Sequence, residues 1–256
     1  MTITAGTEAF SSEGSGANAR IGIALSHGFT GSPASMLDWA KHLAEAGYAV
    51  TLPLLPGHGT SWEDLATSRW QDWYGAFEAE YLHLAARTDH TFVAGLSMGG
   101  TLALRTAANH RVSGVIAVNP GLSFYDPLAR FAGILRYIRP SVEPIGDDIK
   151  KPGVREAAYA KTPVAAVHQL HRLFRDTVSV LDRVTAPTLV FQSTVDRVVP
   201  PSSVATIEKR LGSKELEVVR LHNSYHVATM DNDAGQIFEQ TRGFIQQHSG
   251  TDDEQF

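Results

Sequence analysis

The chain reads as an α/β protein with a mostly parallel central sheet covered by helices on both faces. Two observations predict this. Six near-continuous apolar runs alternate with segments of helical pattern, and strands buried on both faces read in that way. The third run, Thr91-Phe92-Val93-Ala94, leads into Gly95-Leu96-Ser97-Met98-Gly99 and an Ala/Leu-rich stretch. In a strand–turn–helix context, G-x-S-x-G marks a serine held on a sharp turn with its hydroxyl exposed.

Met1 to Arg20 is rich in Gly, Ser, Ala and Thr, and regular structure is expected from Ile21 onward. Ile21–Ser26 is a short apolar strand. Ser32-Pro33 resembles an N-cap followed by proline at the first helical position, opening a helix to Ala46 with Met36, Ala40 and Leu43 on one face and Gly47 as its stop. Tyr48–Leu55 is the next strand, closed by Pro56-Gly57-His58-Gly59. From Arg69 to Arg87, Trp70, Trp73, Phe77, Tyr81 and Leu84 recur at helical spacing, a stripe that reads as core packing. The serine-bearing turn opens a helix to Asn109, and Val112–Val118 is a buried strand. Later come strand Thr188–Gln192, helix Ser202–Leu211, strand Leu216–Leu221 and helix Asp233–Gln247. Ser249–Phe256 is polar and acidic and reads as a frayed tail.

One segment breaks the alternation. Residues 121–175 contain no clear strand, are punctuated by five prolines, and carry an apolar-aromatic cluster: Leu122, Phe124, Tyr125, Phe131, Ile134, Leu135, Tyr137, Ile138 and Ile145. The expectation is a single domain over 1–256 with this insertion folded over the carboxyl edge of the sheet, where open α/β sheets bind ligands. An apolar lid there suits an apolar substrate, with Ile145 among the substrate contacts.

Composition narrows the function. Hydrophobic content of 43%, charged content of 19% and a net charge of −5 suit a globular enzyme and give no basic footprint for nucleic acid. With zero cysteines, disulfides, thiolate chemistry and Cys-based zinc sites are excluded. No apolar run approaches the ~20 residues that span a bilayer, and Met1–Arg20 lacks the pattern of a secretion signal, so a cytoplasmic protein is expected. No basic amphipathic helix stands out that would demand membrane anchoring.

A serine hydroxyl is a weak nucleophile at neutral pH, so Ser97 needs a base and a group to orient that base. Behind a strand–turn–helix serine, the chain order serine, acid, histidine directs the search. Asp196 comes after strand Thr188–Gln192 and precedes Pro200-Pro201; its rivals Asp182 and Glu208 fall on helices and read as solvated charges. His226 lies on the loop between the last strand and the last helix, with His222 nearer the strand as a neighbour. Two backbone N–H groups complete the oxyanion hole: that of Met98, after the nucleophile, and that of Phe29 in the glycine-flanked loop His27-Gly28-Phe29-Thr30-Gly31. His168 and His171, three apart, are read as incidental rather than as a metal pair.

These segments resemble the bacterial monoacylglycerol lipases and the related small carboxylesterases of the α/β-hydrolase superfamily. The resemblance runs from Ile21 to the last helix and rests on Ser26-His27-Gly28-Phe29-Thr30-Gly31-Ser32-Pro33, Gly57-His58-Gly59-Thr60, Gly95-Leu96-Ser97-Met98-Gly99-Gly100, Asp196-Arg197-Val198-Val199-Pro200-Pro201 and Asn223-Ser224-Tyr225-His226-Val227-Ala228-Thr229-Met230-Asp231. It implies an α/β-hydrolase fold with a small cap over a hydrophobic tunnel, the triad Ser97, Asp196 and His226, and an oxyanion hole from Phe29 and Met98. It also implies neither metal nor cofactor. The family's cap segment corresponds to Ile149–Tyr159, and a carboxylate there that meets glycerol hydroxyls points to Glu156; the competing role is a surface charge paired with Arg155 or Lys151. The expected activity is hydrolysis of monoacylglycerols through an acyl-enzyme. The expected partners are a small lipid ester and, transiently, a membrane surface. A general short-to-medium-chain carboxylesterase is the nearer rival, and a non-catalytic small-ligand receptor on the same fold the more distant one.

Overall fold

The computed structural model describes residue 4 and residues 6–250. The strands are β1 (Phe10–Ser12), β2 (Ile21–Ser26), β3 (Ala49–Leu52), β4 (His90–Leu96), β5 (Gly114–Val118), β6 (Ser141–Val142), β7 (Thr162–Pro163), β8 (Thr188–Ser193) and β9 (Leu216–Leu221). The α-helices are α1 (Leu37–Glu45), α2 (Trp62–Thr67), α3 (Trp70–Ala85), α4 (Met98–Asn109), α5 (Ala132–Leu135), α6 (Val164–Val178), α7 (Ser202–Arg210) and α8 (Ala234–Ser249). The main sheet has the order β1-β3-β2-β4-β5-β8-β9, parallel throughout except for the antiparallel β1–β3 pair. It is the α/β-hydrolase fold.

The apolar strands carry two cores, one per face. Ile21, Ile23 and Leu25 of β2, Phe92, Ala94 and Leu96 of β4, and Leu189 and Phe191 of β8 pack with Trp39, Leu43, Ile237 and Ile245 from α1 and α8. The alternate residues Ala24, Val93, Val115, Ala117 and Val190 pack on the other face against α3, α4, α6 and α7. Side chains alternate across a strand, so a strand covered on both faces must be apolar at every position. The aromatic stripe of α3 is buried in this second core, as the helical spacing predicts.

Several details differ from expectation. β1 was not foreseen: a three-residue edge strand paired on one side only needs no apolar run, and Phe10 alone packs inward. Ser32 does not cap a helix with its side chain; Pro33–Met36 form a 3₁₀ turn before α1 begins. β3 spans only Ala49–Leu52, because the chain leaves the sheet ahead of the Pro56–Gly59 turn. α8 runs on to Ser249, where Gly250 ends it in the left-handed conformation that glycine adopts without strain. Residues 251–256 of the expected tail lie outside the described residues.

Residues 121–175 hold a 3₁₀ turn (Pro127–Phe131), α5, the antiparallel β6–β7 pair and most of α6. The apolar cluster read as a lid divides between buried and exposed positions. Leu122 is buried, whereas Ile134, Tyr137 and Ile138 are exposed by 67%, 79% and 79%, as is Leu128, outside the cluster, by 58%. Arg130, Arg136 and Arg139 lie among them. A short basic and apolar surface therefore exists here. It escaped the sequence pattern because two single turns of different helix type carry it, so no helical period develops. Among the described residues no helix is long and apolar enough to cross a membrane.

Candidate active site

Ser97, Asp196 and His226 lie beyond the carboxyl ends of the parallel strands β4, β8 and β9. β4 ends at Leu96, and Ser97 takes up φ 56° and ψ −115° before α4 starts at Met98. That left-handed value is costly for a residue with a side chain and persists where the surroundings impose it. The two flanking glycines are the surroundings. A Cβ at Gly95 would lie 2.7 Å from the amide nitrogen of Gly100, and one at Gly99 would lie 2.6 Å from the carbonyl carbon of Ser26. Strand and helix thus meet closely enough to force the turn.

Asp196 and His226 come together across two loops. Asp196 Oδ2 lies 2.8 Å from His226 Nδ1, and Asp196 Oδ1 accepts the Val198 and Val199 N–H groups, each at 2.8 Å. The side chains of His226 and Asp196 are 5% and 8% exposed. Burial draws the His226 imidazole down, but the carboxylates of Asp196, Glu156 and Asp148 outweigh it and hold His226 above its ordinary value. Ser97 and His226 line one cavity of about 60 Å³, together with Gly28, Phe29, Ile145, Gly146 and Glu156. A second cavity of about 680 Å³ shares Phe124, Ile145, Gly146 and Val198 with the first, and Leu128, Ala132, Leu135, Val164 and Val167 make much of it apolar. Its size is in the range of small-molecule sites.

The oxyanion candidates lie beside the elbow. Met98 is the first residue of α4, and the first N–H groups of a helix have no intrahelical acceptor. Gly28 lies against the elbow, where a Cβ would be 3.5 Å from Ser97 Cβ. Phe29 is followed by Thr30 at φ 62°, whose Oγ1 lies 2.6 Å from the Phe29 carbonyl oxygen and 2.7 Å from that of Ile145. His27 and His58 pack edge to face behind this loop, and Leu55 N–H donates to His27 Nε2 at 3.2 Å. Burial pushes His27 down to about 4, outweighing its contact with the Gly28 carbonyl, and lowers His58 as well. Both rings are therefore neutral struts.

Glu156 faces the cavity. Its Oε1 lies 2.8 Å from where a Cβ on Gly31 would stand, and its Oε2 accepts the Asp147 N–H at 3.2 Å. Arg155 turns to Asp147 instead, so Glu156 is not its ion-pair partner. Burial lifts the Glu156 carboxyl above its usual range. Ile145 lines both cavities and uses its carbonyl to hold Thr30. Among the described residues no group of three or more His, Cys, Asp or Glu side chains is assembled to hold a metal.

Some residues here carry no sequence signal. Asn119, at φ 44° after β5, donates from Nδ2 to the His226 carbonyl at 2.8 Å and accepts Ser193 N–H at 2.8 Å. Asp231 accepts the N–H groups of Tyr225, Lys150 and Lys151. Asp231 and Thr30 stood within recognisable segments, whereas Asn119 and Asp148 did not and act through partners far away in the chain.

Residues 17–233 match the model of the family described as serine aminopeptidase, S33. The chain belongs to this serine hydrolase family. A thermostable monoacylglycerol lipase of Bacillus sp. (strain H-257) is 42% identical over 252 residues, covering 97% of this chain and 98% of the relative. A carboxylesterase of Bacillus subtilis (strain 168) is 25% identical over 232 residues, covering 88% and 92%. A solved structure from work on the metagenome-derived lipolytic enzymes LipS and LipT superposes with a TM-score of 0.92 at 40% identity, covering 96% of this chain and all of that one (100%).

Proposed function

We propose that this S33 hydrolase cleaves the ester bond of monoacylglycerols to glycerol and a fatty acid. The observation that carries this reading is the arrangement around Ser97: an elbow serine and a buried His–Asp pair on a small cavity, with an apolar cavity on one side and the Glu156 carboxylate on another. The similarity to a monoacylglycerol lipase along nearly the whole chain supports it.

In this mechanism Ser97 Oγ attacks the ester carbonyl as His226 takes its proton, and Asp196 holds the imidazole in the tautomer that leaves Nε2 free to accept. The Phe29 and Met98 amides receive the oxyanion, each such donor contributing roughly 2.7–4 kcal/mol to the transition state. His226 then protonates the departing glycerol, and water cleaves the acyl-enzyme by the same route. The acyl chain occupies the larger cavity past Phe124 and Ile145. Glu156 accepts hydrogen bonds from glycerol hydroxyls, since an ionised carboxylate can take two at once. Segment 121–175 serves as the cap. Its exposed Leu128, Phe131, Ile134, Tyr137 and Ile138, interspersed with arginines, rest on the lipid surface that supplies substrate.

Initial rates on mono-, di- and triacylglycerols of matched chain and on aryl esters, with Ser97→Ala as the blank, test the reading. Turnover of monoglycerides but not of di- or triacylglycerols is expected. Fast aryl-ester cleavage with none of any glyceride would make the chain a general carboxylesterase, and the absence of sustained turnover would make it a receptor.

A further inference from the structure

We propose that Asp148 is a positioning residue: its single carboxylate holds the loop bearing Asp196 and the loop bearing His226 in register. Asp148 Oδ2 accepts the backbone N–H of Arg197 at 3.1 Å and that of His226 at 3.3 Å. Oδ1 accepts from Arg197 Nη1 at 2.8 Å, and the Asp148 carbonyl accepts Val227 N–H at 3.1 Å. One residue of the insertion therefore contacts the residue next to the acid, the base, and the residue next to the base. The loops it joins are 30 residues apart in sequence and share no strand pairing at this point.

The rest of the clasp is built around it. The Arg197 guanidinium lies 3.9 Å above the Tyr225 ring, so the residue after the acid is stacked on the residue before the base. Tyr125 O–H donates to the Asp196 carbonyl at 2.8 Å. Asp231 ties Lys150 and Lys151 N–H groups to the same loop as Tyr225. The insertion thus grips the acid loop through Tyr125 and Asp148. A charged acceptor shared by two backbone donors and a guanidinium is a strong, directional anchor, and the Asp148 side chain is only 10% exposed.

Asp148 also acts at a distance on the imidazole. The groups facing His226 are Asp196 from the loop after β8, and Glu156 and Asp148 from the insertion; all three favour the imidazolium. The groups facing Asp148 are the Arg197 guanidinium and backbone, the His226 backbone and, from the insertion, the Tyr125 phenol, on which its charge acts. Removing the charge at 148 weakens the support for the protonated ring.

This rests on the assignment of Ser97, Asp196 and His226 as the catalytic set, and the test separates the two. Steady-state rates on monoglyceride and aryl ester are measured across pH for wild type, Ser97→Ala, Asp148→Asn and Arg197→Gln. The expected result for Asp148→Asn is a kcat lower by roughly tenfold to 100-fold on both substrates, from misplaced catalytic groups, with KM little changed. The acid limb of kcat/KM should also move to lower pH, which a residue that merely stabilised the fold would not cause. Arg197→Gln opens the same clasp from a side chain that is 58% exposed, so it keeps the question answerable if Asp148→Asn does not fold; it should lower kcat in the same sense. Wild-type kcat and an unmoved acid limb in the folded variants, with Ser97→Ala inert, would overturn the role of Asp148 alone. An active Ser97→Ala would overturn the catalytic assignment instead.

Discussion

Asp196→Asn isolates the orienting role of the acid, because the structure dictates how the amide must sit. Asp196 Oδ1 accepts two backbone N–H groups, from Val198 and Val199, and Oδ2 meets His226 Nδ1. In the variant, placing the NH₂ at the Oδ1 position would set a donor against two donors in a buried site, so the amide oxygen must stay there. The NH₂ then faces His226 Nδ1 and needs an acceptor. The imidazole meets that need by carrying its proton on Nε2, which can no longer take the proton of Ser97. The expected loss is roughly 10⁴ in kcat, about 5.5 kcal/mol of barrier, with little change in the fold. Single-turnover acylation with an aryl ester, normalised to folded protein, measures it. Retention of kcat within roughly tenfold of wild type would refute the argument. Asp148 is not expected to substitute, because its carboxylate meets the His226 backbone rather than the ring.

Other outcomes hang on single contacts. A Cβ at Gly31 would press on Glu156 Oε1, so Gly31→Ala should lower kcat/KM for monoglycerides relative to an aryl ester by roughly tenfold, the worth of one hydrogen bond to a charged group; equal losses on both would remove Glu156 from glycerol recognition. Phe124 lines both cavities, so Phe124→Ala should join them and shift the chain-length series toward longer acyl groups, whereas an unchanged series would place the acyl chain elsewhere. His27 is held neutral in the fold at about 4, below its unfolded value, so stability present above pH ~6.5 should fall as pH drops toward 4, by roughly 3 kcal/mol; a flat unfolding free energy over that range would contradict the buried neutral ring. Ile134→Ser with Ile138→Ser should slow hydrolysis of monoglyceride in vesicles and leave hydrolysis of a dissolved aryl ester intact, and equal rates on vesicles would dismiss the docking role.

The catalytic candidates were legible because each follows a strand that the sequence reveals, Ser97 directly after β4 and Asp196 and His226 in the loops after β8 and β9. Ser97 is announced by glycines that must be glycine, since a side chain at 95 or 99 collides with backbone. Asp196 and His226 are located by chain order alone. The core was legible for the same reason, as β2, β4, β5 and β8 are covered on both faces and must be apolar throughout. β1 was not, because an edge strand paired on one side lacks that constraint.

Within residues 121–175 the sequence identifies apolar content but not direction. Whether Leu122 packs inward or Ile138 points to solvent depends on which surfaces the segment meets, and its single turns develop no period to reveal it. The supporting contacts were hidden for a related reason. Asp148 reaches His226 across 78 residues and Thr30 reaches Ile145 across 115, through backbone groups that every residue possesses. A backbone N–H leaves no mark in the sequence. What the sequence by itself determined was the sheet, its two cores and the glycine-flanked turn at Ser97, because burial and steric exclusion restrict which side chains can stand there. What only the tertiary structure decided was how the loops are held together and which face of the insertion turns outward, because those depend on which distant backbones the completed fold brings within hydrogen-bonding reach.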